Sequence, residues 1–275
     1  CVNLSSAYSS PTDIVIGSSS SWGPVDDGRI KPDLVAPGGL TSFSTPVVSG
    51  TVLLLQQAFH NLNSKYMLAS SVKGVLCHTA FEAGSFIGPD YKFGWGMVNA
   101  EEAGLFIKNN GVSTLLVEDT LMDQDTSHFY FYSDAANSSV TLTLVWTDKE
   151  GTPVTLDYTP NNLNNRTAML VNDLDMVFYE LCDGTLKYPY TLDYNNPANA
   201  PVKQINNVDN IEMIEESNLG VGWYGVRITH KGNLQDSKQV FSLLMSGLKI
   251  PNYWNSHKWS DGDPDGTPQH LAILE

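Results

Sequence analysis

The chain changes character near residue 110, and that break constrains its fold more than any other feature. Before it, apolar residues recur at helical spacing. After it, they fall in short β-branched and aromatic runs between turns. In the first part, Val47, Val48, Val52, Leu53, Leu54, Leu55 and Phe59 make a broad apolar surface beginning near Ser42, with Ser49 and Gly50 set into it. Apolar residues on most sides predict a helix buried all round. Pro46 falls in or near its first turns, where proline is tolerated best. A second helix is predicted from Leu68 to Thr79, with Val72, Val75 and Leu76 at helical spacing. A third begins after Asn99, a good N-cap followed by Glu101 and Glu102 where the helix dipole favours acids. Ahead of these, Asp13-Ile14-Val15-Ile16-Gly17 reads as a short buried strand, and Leu34-Val35-Ala36 is another apolar run.

In the second part the strand-like runs are Leu115–Val117, His128–Tyr132, Val140–Trp146, Ala168–Tyr179, Gly225–Thr229 and Val240–Leu248. Thr141-Leu142-Thr143-Leu144 alternates as a half-buried strand does. Long acidic, Asn-rich connections between the runs suggest a β-sandwich of jelly-roll type. The predicted organisation is an α/β unit over residues 1–110, an independently packed all-β sandwich over 111–250, and a polar tail over 251–275.

The charge balance narrows the partners. Fifteen basic residues stand against 30 acidic ones, a net charge of −15. A nucleic-acid surface needs clustered Lys and Arg, so nucleic acid is excluded as a partner, and an anionic membrane surface is disfavoured for the same reason. No apolar run approaches the ~18–20 residues of a bilayer span. Cys1, Cys77 and Cys182 lie far apart and form no ligand-spaced cluster, which argues against zinc and reads as three unrelated thiols.

The chemistry-bearing segment is Thr41-Ser42-Phe43-Ser44-Thr45-Pro46-Val47-Val48-Ser49-Gly50. A serine at a helix entrance sits beside free backbone N–H groups and the positive dipole end, both able to stabilise an oxyanion. Small residues behind it would let the helix pack closely. The segment resembles the serine motif of the subtilisin-like serine peptidases. So do Ser20-Ser21-Trp22-Gly23-Pro24 with Asp27–Gly38 upstream, and Phe93-Gly94-Trp95-Gly96-Met97-Val98-Asn99-Ala100 downstream, in family order. Leu144–Asp148, Leu170–Asp175, Asn206–Asn210 and Gly222–Val226 are similar to the C-terminal β-domain of the alkaline, oxidation-tolerant bacterial subtilases. The resemblance implies the C-terminal half of a parallel-sheet α/β catalytic domain followed by a jelly roll. It implies peptide-bond hydrolysis through an acyl-enzyme, with Ser42 the nucleophile and its own N–H part of the oxyanion hole. Thr41, Thr45, Pro46 and Gly50 would support the site. It also implies polypeptide substrates, no organic cofactor, calcium for stability, and a secreted or cell-surface location.

Two departures qualify the resemblance. The family's triad runs Asp, His, Ser, yet all six histidines here follow Ser42. The Asp, the His and the oxyanion Asn would therefore come from an N-terminal catalytic half outside this sequence, so the chain alone is expected to be inactive. Gly39 also runs at once into Leu40-Thr41-Ser42, where relatives carry a longer stretch ending in glycine. A deletion, a loop lost from the written sequence, or a partial chain each explain this, and the partial chain is favoured.

Asn172-Asp173-Leu174-Asp175 puts Asp173 and Asp175 on one face of a strand, with Asp193 and Asp209 as further candidates. Such a group suits calcium, or is a solvated acidic face. Two alternative functions remain: an inactive scaffold serving as a protein-binding module, or carbohydrate binding through Trp146, Trp223 and Tyr224.

Overall fold

A computed structural model describes residues 1–4, 7–153 and 165–250. The polar tail, with His257 and His270, lies outside the described residues. β1 (Val2–Leu4) pairs antiparallel with β2 (Ile14–Ile16), whose β-branched run ends at Gly17. Single bridges extend this pairing. Val2 bridges Pro37 in parallel, Val35 bridges Met97 in parallel, and Met97 bridges Phe81 antiparallel. Around this edge pack α1 (Thr41–Asn63), α2 (Ala69–His78) and α3 (Ala100–Lys108). The Asn99 side chain caps α3, accepting from the Glu102 amide at 3.1 Å.

From Thr114 onward the regular structure among the described residues is β, apart from one short 3-10 turn. It comprises β3 (Thr114–Met122), β4 (Ser127–Ser133), β5 (Ser138–Trp146), β6 (Leu174–Glu180), β7 (Leu186–Lys187), β8 (Tyr190–Thr191), β9 (Val202–Lys203), β10 (Ile211–Leu219), β11 (Gly222–His230) and β12 (Lys238–Ser246). Two four-stranded antiparallel sheets result, ordered β10-β5-β12-β3 and β4-β11-β6-β7. Their facing sides share one core that includes Phe131, Leu142, Leu144, Trp146, Phe178, Phe241 and Leu243.

Four expectations change. The stretch predicted as a strand from Ala168 becomes one only at Leu174, because Asp148 accepts the Val171 and Asn172 amides at 2.7 and 2.9 Å and holds them in a turn. β10 was not anticipated, since Ile211-Glu212-Met213-Ile214-Glu215-Glu216 reads as a polar connection. It pairs along β5 all the same, with Glu212 opposite Leu144. The sheet containing β5 is not half-buried. Its outer face lies under α2, where Gly74 leaves room for Leu244: a Cβ there would come 2.5 Å from Leu244 Cδ1. Ser70 and Ser71 each hydrogen-bond Ser242 at 2.8 Å. Leu244 therefore belongs to the helical core, and Val145, Ile211 and Met213 pack with Cys77 and Trp95. The β-region is consequently not independently packed. Last, α1 is not buried all round. Ser44, Thr51, Leu55 and Phe59 face inward, while Phe43, Val47, Leu53, Leu54 and Leu62 are 43–73% exposed.

Candidate functional site

Ser42 occupies the second position of α1 and is exposed. The turn before it comes from Gly38 and Gly39. Gly39 takes φ +69°, and a Cβ on Gly38 would meet the Ser44 amide nitrogen at 2.6 Å. Leu40 itself is ordinary extended backbone at φ −130°. Glycine is thus needed one residue earlier than the family pattern suggests. The Cys1 thiol donates to Gly39 O at 3.6 Å from below the turn. Ser44 anchors the helix start: its hydroxyl donates to Ala36 O at 2.8 Å. Sequence reading passed over Ser44 because its role depends on a fold contact.

Leu40 cannot cap the helix with its side chain. Its carbonyl accepts the Phe43 and Ser44 amides, both at 3.0 Å. Among the described residues nothing accepts the Thr41 or Ser42 N–H, and the Ser42 hydroxyl has no partner. These are the donors a helix start leaves unpaired. Thr45 donates its hydroxyl to Thr41 O at 2.9 Å. Pro46 lies inside the helix and lacks the N–H that the Ser42 carbonyl would otherwise accept. Gly50 is exposed, and a Cβ there meets nothing within 4 Å. The close packing expected behind Ser49 and Gly50 is therefore absent among the described residues.

No described histidine serves Ser42. His60 ends the same helix, about 27 Å along its axis, and stacks on Tyr66. His78 is buried between α2 and the sheet, its Nδ1 2.9 Å from Thr143 Oγ1 and its Nε2 3.0 Å from Ser246 Oγ. Burial lowers its pKa to about 3. His128 lies near Tyr179, and His230 Nε2 accepts the Gln124 amide. A cavity of about 450 Å³ lies elsewhere, lined by Trp22, Phe86, Tyr91 and Phe93.

Asp173 and Asp175 do fall on one face, but Asp193 and Asp209 do not join them. Asp209 accepts the Ile30 amide at 2.8 Å, and Asp193 accepts from Asn195 and Asn196. Lys231 comes instead, its ammonium 3.1 Å from Asp173 Oδ2 and 2.8 Å from Asp175 Oδ1. Calcium takes 6–8 oxygen ligands. Here an ammonium already sits among the few oxygens available, so this residue set does not fit calcium. Trp146 and Tyr224 are buried, Trp146 donating Nε1 to Asn172 O at 2.9 Å, and neither offers a ring face to a sugar. No helix among the described residues is long and apolar enough to cross a membrane.

Comparison with known proteins supports the resemblance to the subtilases. Residues 6–96 match the model of the subtilase family. A serine protease/ABC transporter B family protein, tagA, of Dictyostelium discoideum is 26% identical over 280 residues, covering 82% of this chain. The chain spans only 15% of that relative's length. Among solved structures, a serine protease of Aeromonas sobria aligns over 76% of this chain and 44% of its own, at 11% identity and a TM-score of 0.23. The periplasmic lysozyme inhibitor PliG of Aeromonas hydrophila aligns over 50% and 89%, at 11% identity and a TM-score of 0.26. Likenesses that slight carry no argument. The sequence match makes residues 6–96 a subtilase-like domain.

Proposed function

We propose that this chain carries the serine-bearing part of a subtilase-type peptidase acting on polypeptides, with Ser42 as nucleophile and its own N–H as one oxyanion donor. One observation carries the reading. Ser42 stands exposed at an uncapped helix start, on a helix whose outward face is apolar. Exposed Phe43, Val47, Leu53 and Leu54 in a row suit a face that further polypeptide covers. Residues beyond this sequence would supply the acid, the histidine and the Asn donor. Thr41, Thr45 and Pro46 keep their assigned supporting roles in this reading, while Gly50 meets no neighbour among the described residues.

The strand order β10-β5-β12-β3 opposite β4-β11-β6-β7 supports reading the sandwich as a jelly roll, in which Greek keys interleave early and late strands. Secretion or cell-surface display follows from the family resemblance alone. A second reading, an inactive scaffold, is favoured by the described histidines, His60, His78, His128 and His230, each being engaged with groups other than Ser42.

The test uses the 275-residue chain, an unstructured protein substrate and a fluorophosphonate probe. The expected result is no turnover and no label. Turnover that disappears in Ser42→Ala would refute the need for outside residues.

A further inference from the structure

Three oxygens from three residues converge on the Lys231 ammonium: Asp173 Oδ2 at 3.1 Å, Asp175 Oδ1 at 2.8 Å, and Asn207 Oδ1 in close contact. They come from different parts of the chain. The aspartates flank the start of β6, Asn207 lies before β10, and Lys231 follows β11. The backbone sets this meeting, since the Lys231 amide also donates to Asp173 O at 2.9 Å.

The surroundings lack positive charge. Two carboxylates face one ammonium, and Asp173 Oδ1 is buried without a partner. Behind them, Glu212 points between the two sheets with no solvent exposure. Its Oε2 accepts the Met176 amide at 2.6 Å, while its Oε1 is buried and unpartnered. The Glu212 carboxyl feels both aspartates and Lys231, and burial raises its pKa well above the usual carboxylate range. Carboxylates gathered in a low dielectric need a cation or protons.

We infer that Lys231 is this site's resident cation: its ammonium stands where a divalent ion would be held, Asp173 and Asp175 bind no calcium while it is there, and removing that ammonium opens a calcium site. The vacated point would be ringed by Asp173, Asp175 and Asn207, with Asp173 Oδ1 free to make its carboxylate bidentate. Those are hard oxygen donors of the kind calcium takes, and they would draw in toward its shorter ligand distances with water completing the shell. Magnesium demands a stricter octahedron and should respond less.

The experiment is thermal unfolding of the full chain in calcium, magnesium or EGTA at matched ionic strength. The proteins are wild type, Lys231→Ala, Lys231→Met, and Lys231→Ala combined with Asp173→Asn and Asp175→Asn. Wild type should move by less than about 1 °C between calcium and EGTA. Both single variants should melt lower in EGTA and recover by about 3–6 °C in millimolar calcium. The triple variant should not respond. If a single variant is unfolded in EGTA, calcium should refold it, as far-UV circular dichroism would read. Two results would overturn the inference. One is a wild-type calcium shift of several degrees that Asp173→Asn with Asp175→Asn abolishes. The other is indifference to calcium in both Lys231 variants, folded or not.

Discussion

Acidification should weaken the junction between α2 and the β-sandwich through His78. Both ring nitrogens are held by hydroxyls, Thr143 from β5 and Ser246 from β12, and the Phe106 ring lies edge-on at 4.9 Å. Burial alone lowers the pKa from 6.5 to about 3. The folded state therefore binds the proton more weakly than the unfolded chain does. The stabilisation is complete above pH 6.5 and is lost as pH falls from there toward about 3. At pH 5 the loss is about 1.5 pH units times 1.36 kcal/mol, or roughly 2 kcal/mol. Urea unfolding at pH 7.5 and at pH 5, on wild type and His78→Gln, isolates this effect. Glutamine can still join two hydroxyls but does not titrate. It should cost about 1 kcal/mol at both pH values for imperfect bonding. Wild type should lose about 2 kcal/mol more than the variant between the two. Equal losses in the two proteins would refute the linkage and mean that His78 accepts its proton without unfolding.

Three further outcomes follow from the packing. Gly74→Val drives a side chain into Leu244 and should destabilise by about 1–3 kcal/mol, read by urea unfolding; an unchanged midpoint would mean that α2 does not sit tightly on the sheet. A fragment of residues 111–250 uncovers Val145, Ile211, Met213 and Leu244, each worth about 1.5–3 kcal/mol of burial, so it should bind a hydrophobic dye and melt below the full chain; matching melting temperatures would restore an independent domain. Glu212→Gln should flatten the stability profile above pH 4.5, because the raised folded pKa of Glu212 makes its stabilisation complete below the unfolded value and lost as pH rises; an unaltered profile would show that Glu212 is ionised in the fold.

Local signals made much of this molecule legible in its sequence. The Asn99 cap, the Gly17 stop and the helical spacing of Val72, Val75 and Leu76 each act within a few residues, and the elements form where those signals place them. The start of α1 near Ser42 was legible for the same reason: proline and small residues stand together there. Glu212 hid β10, because a buried acid makes a central strand look like a connection until Met176 is beside it. Lys231 was unreadable as the partner of Asp173 and Asp175, more than fifty residues away along the chain. The exposure of α1 was misread because an apolar helix surface states what needs covering, not what covers it. Thr143 and Ser242 look like solvent-facing strand positions, and only α2 explains why they are buried.

The central claim is that Ser42 is a nucleophile waiting for an acid, a histidine and an Asn donor from outside this sequence. The most direct measurement is fluorophosphonate labelling followed by peptide mapping, on this chain and on the protein extended toward its N-terminus. The account predicts no label on the chain alone, and label confined to the Thr41–Pro46 peptide at Ser42 in the extended protein, abolished by Ser42→Ala. Label on another serine, or an extended protein that folds and takes no label, would contradict it.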